Sequence, residues 1–259
     1  MQTAKMIDFI VQWLVKYCET ADLNGYAVGV SGGIDSAVTS TLCAQTGKPV
    51  YALNMPIHQA TDQVSRADQH IAWLEQHFKQ VRGITVDLTD MFQTVERTFP
   101  PAIRDDLTLA NTRSRLRMVT LYAFAGHHRL LVAGTGNKVE DFGVGFYTKY
   151  GDGGVDIAPI ADLMKSEVYT VGKALGIVDS ILTAPPTDGL WHDNRTDESQ
   201  IGATYTELEW AMQHEDGLVD ERMLSDRQKE VLQIYRRFNR SNAHKMEPIP
   251  VAKIPDHLR

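Results

Sequence analysis

The sequence has little cysteine and no excess of basic residues. Only Cys18 and Cys43 occur among 259 residues, which is too few for a disulfide framework and favours a reducing compartment, expected here to be the cytoplasm. Lysine and arginine number 26 against 33 acidic residues, a net charge of −7. A general nucleic-acid-binding protein is therefore not expected.

Long uninterrupted apolar runs are also missing, so neither a signal peptide nor a membrane span is predicted. The first twenty residues come nearest to such a run, but they read as an amphipathic helix because polar residues recur at helical spacing. No internal repeat, low-complexity tract or linker is evident. We expect a single domain over residues 1–259 and no membrane contact.

Short apolar and β-branched segments alternate with segments of helical periodicity, a pattern typical of βαβ units and a parallel sheet. Strands are predicted at residues 26–30, 50–55, 83–88 and 130–134. Helices are predicted near residues 36–46, 62–79, 89–98 and 107–126. The pattern therefore predicts an α/β protein.

The pattern changes after Gly134. A glycine-rich polar stretch runs to Gly154, and further helices are predicted near residues 162–175, 203–213 and 225–240. Residues 183–200 are polar and interrupted by prolines, so no regular element is predicted there. Because long loops inside compact domains commonly cover binding sites, we expect this loop to lie over one.

The segment SGGIDS, Ser31 to Ser36, joins the first predicted strand to a helix. Such a turn directs backbone N–H groups and the positive end of a helix dipole at one point, which suits a phosphate. It matches neither the Walker sequence nor the G-x-G-x-x-G dinucleotide pattern. Asp35 would repel a phosphate unless a divalent cation lay between them, so we predict a magnesium ligand there. The alternative is a tight turn in which Asp35 only stabilises its helix.

SGGIDS resembles the pyrophosphate-binding loop of the ATP-pyrophosphatase superfamily, whose members adenylate a carboxylate or carbonyl and release pyrophosphate. Within that superfamily, the stretch GTGNKVEDFGVGFYTKYGDGGVDIAPIADLMKSEV, residues 134–168, closely resembles the corresponding region of the NAD synthetase family. NTRSRLRM at 111–118 and RTDESQIGATY at 195–205 are similar to further motifs of that family, in the same order.

This resemblance implies a fold and a reaction. The fold would be a three-layer, doubly wound, mainly parallel sheet of the Rossmann-like, adenine nucleotide alpha-hydrolase-like type, with extra C-terminal helices. The reaction would make NAD from deamido-NAD (nicotinic acid adenine dinucleotide), ATP and ammonia, through a deamido-NAD adenylate, with release of AMP and pyrophosphate. This is the last step of NAD biosynthesis, and Mg²⁺ would be its cofactor.

The resemblance also assigns roles to residues. The catalytic residues would be Asp35, Asp152 and Lys165, with Asp152 near the point where ammonia attacks, and the magnesium ligands would be Asp35 and Glu140. ATP would contact Ser31, Gly32, Gly33, Asp35, Ser36, Arg117, Thr135, Lys165 and Thr187. Deamido-NAD would contact Asn111, Arg115, Lys149, Asp156, His244 and Lys245. Arg113, Arg115 and Arg117 alternate, so a helix would spread them over different faces, and at least one is expected to be an ordinary surface charge. Arg115 and Arg117 are the two assigned to the site, and Arg113 is left out.

Two departures from the family pattern leave questions open. Between Glu140 and Gly145 the chain has one residue more than the commonest family spacing, so Asp141 is the alternative second metal ligand. In PPTDGLW the acid follows Thr187 directly, so the role of Asp188 stays open. The role of Trp191, a large ring in the same loop, stays open too.

Glutamine-using members of the family carry a glutaminase domain ahead of the synthetase region. Here the glycine loop begins after thirty residues, so we expect direct use of ammonia, with a separate ammonia-delivering subunit as the alternative. The family's subunits form homodimers with deamido-NAD at their interface, and the resemblance implies the same here.

Two other functions compete with this reading. One is another adenylating ATP-pyrophosphatase, such as a tRNA-thiolating enzyme, which would need a basic surface and more cysteines than this chain has. The other is a nucleotide-binding module without catalysis, because a fold does not guarantee an activity. The joint presence of Asp35, Glu140 and Lys165 counts against the second alternative.

Overall fold

A parallel four-stranded sheet forms the centre of the protein. The computed structural model describes residues 2–59, 61–187, 196–215, 217 and 221–259. The strands are β1 (Gly25–Gly29), β2 (Val50–Asn54), β3 (Val81–Thr85) and β4 (Leu130–Ala133), in the order β3-β2-β1-β4. All four predicted strands are confirmed, but the third begins earlier than predicted and ends at Thr85, because its partner β2 ends at Asn54.

Helices connect and cover the strands. The first part of the chain forms α1 (Thr3–Thr20), α2 (Ile34–Gln45), α3 (Thr61–His77), α4 (Thr89–Thr98) and α5 (Asp106–His128). The second part forms α6 (Lys165–Ala174), α7 (Asp179–Leu182), α8 (Asp197–Ile201), α9 (Tyr205–Glu215) and α10 (Asp226–Met246). None of the helices within the described ranges combines the length and apolar character that crossing a membrane requires.

The sheet buries apolar side chains on both faces, which confirms the predicted three-layer α/β fold. Successive residues of a strand point to opposite faces. In β1, Tyr26 and Val28 therefore pack with α1, α2, α3 and α6, whereas Ala27 packs with α4 and α5. Each layer of helices consequently has its own core, and β1 contributes to both.

The C-terminal helices form a third apolar cluster beside the sheet. Leu208 of α9 and Leu232 of α10 pack with Val139 and Val144 of a π-helix, Val139–Val144. This cluster confirms the predicted extra C-terminal helices. It also shows why the glycine-rich polar stretch after Gly134, for which no element was predicted, contains a helix, since both valines are fully buried in tertiary contacts that periodicity does not report.

The predicted loop at residues 183–200 is wrong at its end, because α8 begins at Asp197. Thr196 caps that helix by accepting a hydrogen bond from the Ser199 backbone N–H at 3.2 Å, a capping signal that the polar composition hid. The short helix α7 was not predicted either. Asp188 and Trp191 lie outside the described residues.

Strand order places a topological switch point beside β1. The chain runs from β1 outward to β2 and β3, and then returns to place β4 on the other side of β1. In open parallel sheets, ligands bind in the crevice that such a reversal opens at the carboxyl ends of the strands. The SGGIDS loop follows β1 at this crevice, and Gly134 and Thr135 follow β4 there.

Candidate active site

A cleft of about 550 Å³ lies at the switch point. Its walls include the whole loop from Gly29 to Ser36, the segment after β4, part of α5 and residues near Asp152. The volume is within the range of sites that bind one small molecule. All nine predicted ATP-side residues contribute to this one cleft, namely Ser31, Gly32, Gly33, Asp35, Ser36, Arg117, Thr135, Lys165 and Thr187.

The glycine loop has the conformation of an anion-binding turn. Gly32 has a φ of 82°, which non-glycine residues rarely adopt, and Gly33 is the N-cap of α2. The Ser36 hydroxyl donates to the Gly33 carbonyl at 3.0 Å and accepts from the Ser31 backbone N–H at 3.1 Å, which closes the turn. The N-terminus of the twelve-residue α2 therefore faces the cleft and favours negative charge.

Lys165 links two carboxylates that are 105 residues apart in sequence. Its ammonium lies 2.5 Å from Asp35 Oδ2 and 3.2 Å from Glu140 Oε1, and the lysine side chain is only 4% exposed. As the first residue of α6, Lys165 stands where a helix dipole disfavours a cation. The two carboxylates offset that cost and hold the ammonium at the mouth of the glycine loop.

The protonation of this cluster follows from its burial and charge. Burial works to lower the pKa of Lys165, but Asp35 and Glu140 outweigh it and raise that pKa, so the ammonium stays charged. Burial raises the pKa of Asp35, and the Lys165 ammonium and the Asn137 amide oppose that rise. The Asn137 amide donates to Asp35 Oδ1 at 3.3 Å.

Three further residues surround Lys165 and its two carboxylates, and the sequence analysis assigned no role to them. Asn137 is fully buried and also accepts a hydrogen bond from the Glu140 backbone N–H at 3.2 Å. The Tyr205 hydroxyl donates to Glu140 Oε1 at 2.5 Å, and its oxygen lies 3.4 Å from Asp197 Oδ2. The Lys165 ammonium lies 4.6 Å from the centre of the Tyr205 ring. All three lie inside GTGNK and RTDESQIGATY, two motifs that resemble the family. Membership of these motifs was the one signal in the sequence that could have identified them.

The π-helix explains how the additional residue between Glu140 and Gly145 is accommodated. A π-turn contains one residue more per hydrogen bond than an α-turn, so it absorbs a single insertion without moving what precedes it. Glu140 consequently still reaches Lys165. Gly145, with a φ of 61°, ends this helix.

Asp141, the alternative metal ligand, is placed differently from Glu140. Its carboxyl lies against Gly136, where a Cβ atom would come within 2.1 Å of Asp141 Oδ1. Burial and the nearby Glu140, Asp152 and Asp35 raise the pKa of Asp141 to about 8. Glu140 shares the Lys165 ammonium with Asp35 beside the glycine loop, so the geometry favours Glu140 as the second ligand.

The described residues fit a magnesium ion that is shared with phosphate. Asp35 and Glu140 present two carboxylates to one point beside the anion-binding loop, and Mg²⁺ is commonly held by one or two carboxylates together with substrate phosphates. Within the described part of the chain, no cluster of three or more His, Cys, Asp or Glu could hold a metal by itself. The two carboxylates would leave further coordination positions to phosphate oxygens and water.

Asp152 forms a second polar centre in the same cleft. Its Oδ1 accepts hydrogen bonds from the Ser114 hydroxyl at 2.6 Å and from the Thr148 backbone N–H at 3.0 Å. The Ser114 hydroxyl accepts in turn from the Asp152 backbone N–H at 2.8 Å. The surrounding protein raises the pKa of Asp152 by desolvation, although solvent still reaches the residue, and both hydrogen bonds oppose the rise.

The predicted deamido-NAD residues are divided between two places. Asn111 and Lys245 line the cleft, and the Thr148 hydroxyl donates to Asn111 Oδ1 at 2.7 Å. The others lie outside the cleft of a single chain, namely Arg115, Lys149, Asp156 and His244. Arg115 donates to the Lys149 carbonyl at 3.4 Å, Lys149 donates to the His244 carbonyl, and Asp156 accepts from the Tyr122 hydroxyl at 2.9 Å.

Arg113 belongs to the core instead of the cleft. It is buried, and its guanidinium lies 4.5 Å from the centre of the Phe92 ring. Arg117 faces the cleft, and its Nε donates to the Met55 carbonyl at 3.0 Å. Arg113 and Arg117 stand four residues apart and so are neighbours on α5, but their different side-chain contacts place one in the core and the other at the cleft.

The switch-point cleft, the glycine turn and the paired carboxylates define a nucleotide-binding α/β enzyme. Comparison with known proteins narrows this class. The family model described as NAD synthase matches residues 6–249. The chain belongs to the NAD synthase family.

Relatives and solved structures agree with this assignment. The NH₃-dependent NAD⁺ synthetase of Mannheimia succiniciproducens is 36% identical over 262 residues, covering 99% of this chain and 98% of the relative. That of Methanosarcina acetivorans is 35% identical over 263 residues, covering 98% and 100%. The NMN synthetase structure from Francisella tularensis has a TM-score of 0.83 at 29% identity, covering 99% of each chain. The NH₃-dependent NAD synthetase of Campylobacter jejuni, at 22% identity and a TM-score of 0.79 over 98% and 100% of the chains, has the same fold.

Proposed function

We propose that this protein makes NAD from deamido-NAD, ATP and ammonia. In the first step a nicotinate carboxylate oxygen attacks the α-phosphorus of ATP, and the bond from that phosphorus to pyrophosphate breaks. In the second step ammonia attacks the carbonyl carbon of the adenylate, AMP leaves, and one proton is released. The observation that carries the proposal is the single cleft in which the glycine loop and Lys165 lie together with Asp152.

The glycine loop and Lys165 serve the first step. Charge moves onto the departing pyrophosphate, and catalysis of such a transfer depends on positioning and on neutralising charge. The α2 N-terminus would hold the pyrophosphate, and the permanently charged Lys165 would reach its oxygens. Asp35 and Glu140 would hold Mg²⁺, which supplies further neutralisation of the phosphates when bound.

Asp152 serves the second step. Attack by ammonia leaves positive charge on nitrogen until a proton departs, and a carboxylate beside the carbonyl stabilises that charge and accepts the proton. Desolvation brings the pKa of Asp152 closer to neutrality, which suits proton transfer at physiological pH. Ser114 and Thr148 hold this carboxyl in place.

The size of the acceptor is a separate question from the chemistry. Four residues with a predicted role in deamido-NAD binding lie outside the cleft, and a solved structure that covers 99% of this chain is an NMN synthetase. Nicotinic acid mononucleotide, which carries the same reacting carboxylate without the second nucleotide, is therefore the second candidate acceptor. Deamido-NAD is favoured because the curated relatives at 35–36% identity are NAD⁺ synthetases.

A homodimer would give the outlying residues a role. Arg115 and Lys149 lie beside the exposed apolar side chains of Val119 and Tyr150, so the surface next to the cleft suits a second copy of the chain. The dinucleotide would then extend from the cleft of one subunit across the interface. Cys18 and Cys43 are both free and buried, in keeping with the proposed cytoplasmic location.

The test is an assay of the purified protein with ATP and Mg²⁺ that crosses two acceptors with two nitrogen donors. Deamido-NAD or nicotinic acid mononucleotide is supplied with ammonium or glutamine, while amide, AMP and pyrophosphate are followed. We expect NAD from deamido-NAD with ammonium and none with glutamine, together with equal amounts of AMP and pyrophosphate.

Each other outcome changes one part of the proposal. Turnover of the mononucleotide at a higher kcat/KM would establish NMN synthesis. Turnover with glutamine alone would replace ammonia as the donor. Release of AMP without amide from either acceptor would leave the adenylation chemistry and remove the proposed product.

A further inference from the structure

Helix α10 donates a row of side-chain hydrogen bonds to the segment that leads to Asp152. Asn239 donates to the Gly143 carbonyl at 2.7 Å, and Asn242 donates to the Val144 carbonyl at 2.8 Å. The Lys245 ammonium donates to the Gly145 carbonyl at 2.6 Å and to the Tyr147 carbonyl at 2.8 Å. We call Asn239, Asn242 and Lys245 the α10 ladder.

The ladder satisfies carbonyls that the π-helix cannot satisfy itself. The last carbonyls of a helix have no partner within it, and burying them unpaired is costly. The three donors stand three residues apart and so occupy one face of α10. Gly145 permits the close approach, because a Cβ atom there would lie 2.5 Å from the Cβ atom of Asn242.

The last hydrogen bond of the ladder reaches Asp152 through one peptide group. The Tyr147 carbonyl and the Thr148 N–H belong to the same planar peptide unit and point in opposite directions. Lys245 binds the carbonyl side of this unit, and Asp152 Oδ1 accepts from its N–H side at 3.0 Å. Orientation of the peptide by Lys245 therefore sets the direction of a hydrogen bond to Asp152, and the ammonium polarises that N–H.

We propose that the α10 ladder positions Asp152 for the amide-forming step. All its hydrogen bonds lie after Glu140 in the chain, so its loss affects the adenylation step much less. This inference rests on the proposed function. The family resemblance implies a deamido-NAD contact for Lys245, but its ammonium already donates to two carbonyls, so we assign it to the Tyr147–Thr148 peptide instead. Asn239 and Asn242 fix the segment immediately before that peptide. The ladder is thus a set of positioning residues, and its loss affects the attack of ammonia.

The experiment measures the two steps separately in Lys245→Met and Asn242→Leu. Adenylation is followed by incorporation of labelled pyrophosphate into ATP without ammonium, and amide formation is followed with saturating ammonium. Misplacing a reacting group by about 1 Å costs up to about 100-fold. In both variants we expect the rate of amide formation to fall by about 10-fold to 100-fold and the rate of pyrophosphate exchange to change by less than about threefold. Lys245→Arg, which keeps the positive charge, should retain most of the wild-type rate of amide formation.

Control variants make the same chemical changes on the exposed face of the same helix. Lys229→Met and Gln233→Leu should retain both rates, because both side chains are exposed.

The inference is wrong if exchange and amide formation fall together in the ladder variants, or if neither falls. A raised KM for deamido-NAD with unchanged kcat in Lys245→Met would overturn it in favour of direct substrate contact. Asn242→Leu keeps the test decisive if Lys245→Met does not fold. Absence of NAD synthesis by the wild-type protein would instead reject the proposed function.

Discussion

The position of Lys165 has both unfavourable and favourable contributions to the free energy. Its ammonium is removed from water and lies at a helix N-terminus, and both features cost free energy. Asp35, Glu140 and the Tyr205 ring surround the same ammonium and offset this cost. Conflict between local preference and observed position is typical of functional sites.

Replacing Asp35 tests the charge balance at this point. Asp35→Asn should lower turnover about 100-fold or more, because the loop loses the carboxylate that we propose to hold Mg²⁺. The variant should still fold, since Lys165 keeps its contact with Glu140. Turnover is compared with Asp162→Asn, which changes a side chain that is 95% exposed, and melting curves verify folding. Near-normal turnover at saturating Mg²⁺ in Asp35→Asn would remove this role.

Ser114 should tune the acidity of Asp152. Ser114→Ala deletes one of two hydrogen bonds that stabilise the ionised carboxyl, so the pKa of Asp152 should rise further. The acidic limb of the pH–rate profile, measured at a fixed concentration of free ammonia, should then move to higher pH. Ser241→Ala, an exposed change on α10, is the control. An unmoved acidic limb in Ser114→Ala would show that ionisation of Asp152 does not govern the rate.

At the scale of the residue, the sequence predicted which charged side chains form the site, but not which neighbouring side chains hold them in place. Asp35 and Lys165 came from motif resemblance, and the structure places them in contact. Asn137 and Tyr205 were missed because their roles arise from contacts with residues distant in sequence, such as the 65 residues between Tyr205 and Glu140. The individual roles assigned to site residues stay predictions.

Among the elements, the contact between α2 and α3 contains a buried histidine. His70 is fully buried, and its Nε2 lies 3.0 Å from the Ser40 hydroxyl oxygen. That hydroxyl also lies 2.7 Å from the Ser36 carbonyl, to which it donates. With that hydroxyl donating to the carbonyl, His70 Nε2 is the donor to Ser40, and burial keeps the ring neutral. Burial lowers the pKa of His70 from its ordinary 6.5 to about 4.

This histidine predicts a loss of stability in acid. The stabilisation is complete above pH 6.5, where the ring is neutral in both states, and it is lost progressively as pH falls from 6.5 through 4, because the unfolded state binds the proton more readily. At about 1.4 kcal/mol per pH unit, the loss approaches roughly 3 kcal/mol by pH 4.

The measurement is the free energy of unfolding of wild type and His70→Leu between pH 7.5 and pH 4.5. His70→Leu should show a shallower decline, and His127→Leu, at an exposed position, should follow the wild type. Parallel declines in wild type and His70→Leu would exclude His70 as the source.

Elements were predicted well where periodicity is set locally. Helix α4 has its predicted bounds, and α1 buries the apolar stripe read from the sequence. The π-helix and α8 were not predicted, because Val139 and Val144 are helical through packing on α9 and α10, and α8 depends on a cap. Local composition contains neither kind of information.

At the scale of the molecule, the proposed dimer predicts a concentration-dependent mass. The protein should sediment at twice the 29.0 kDa of one chain. Val119 is 54% exposed on α5, one helical turn from Arg115, so Val119→Asp should weaken association by burying a charge in the interface. Val251→Asp, at a position that is 76% exposed in the C-terminal segment, is the matched control. Sedimentation of Val119→Asp as a dimer with unchanged affinity would place the interface elsewhere.

The overall fold was the most predictable property. Alternation of strand-like and helical segments sufficed for an α/β fold with a parallel sheet, and the family resemblance supplied the layers. Strand order was not predicted, since nothing in the sequence near β4 indicates that it pairs with β1 instead of β3. The single-domain boundary at residues 1–259 stays a prediction.

The site joins two parts of the molecule that should exchange their amide hydrogens differently. The glycine loop continues from β1, which is paired on both edges and contributes to both sheet cores. The segment that leads to Asp152 depends instead on the third cluster and the α10 ladder. Local opening of that cluster would release the Asp152 segment together with Glu140, while the glycine loop stays protected. The protein would then keep its anion-binding turn during fluctuations in which it cannot form an amide.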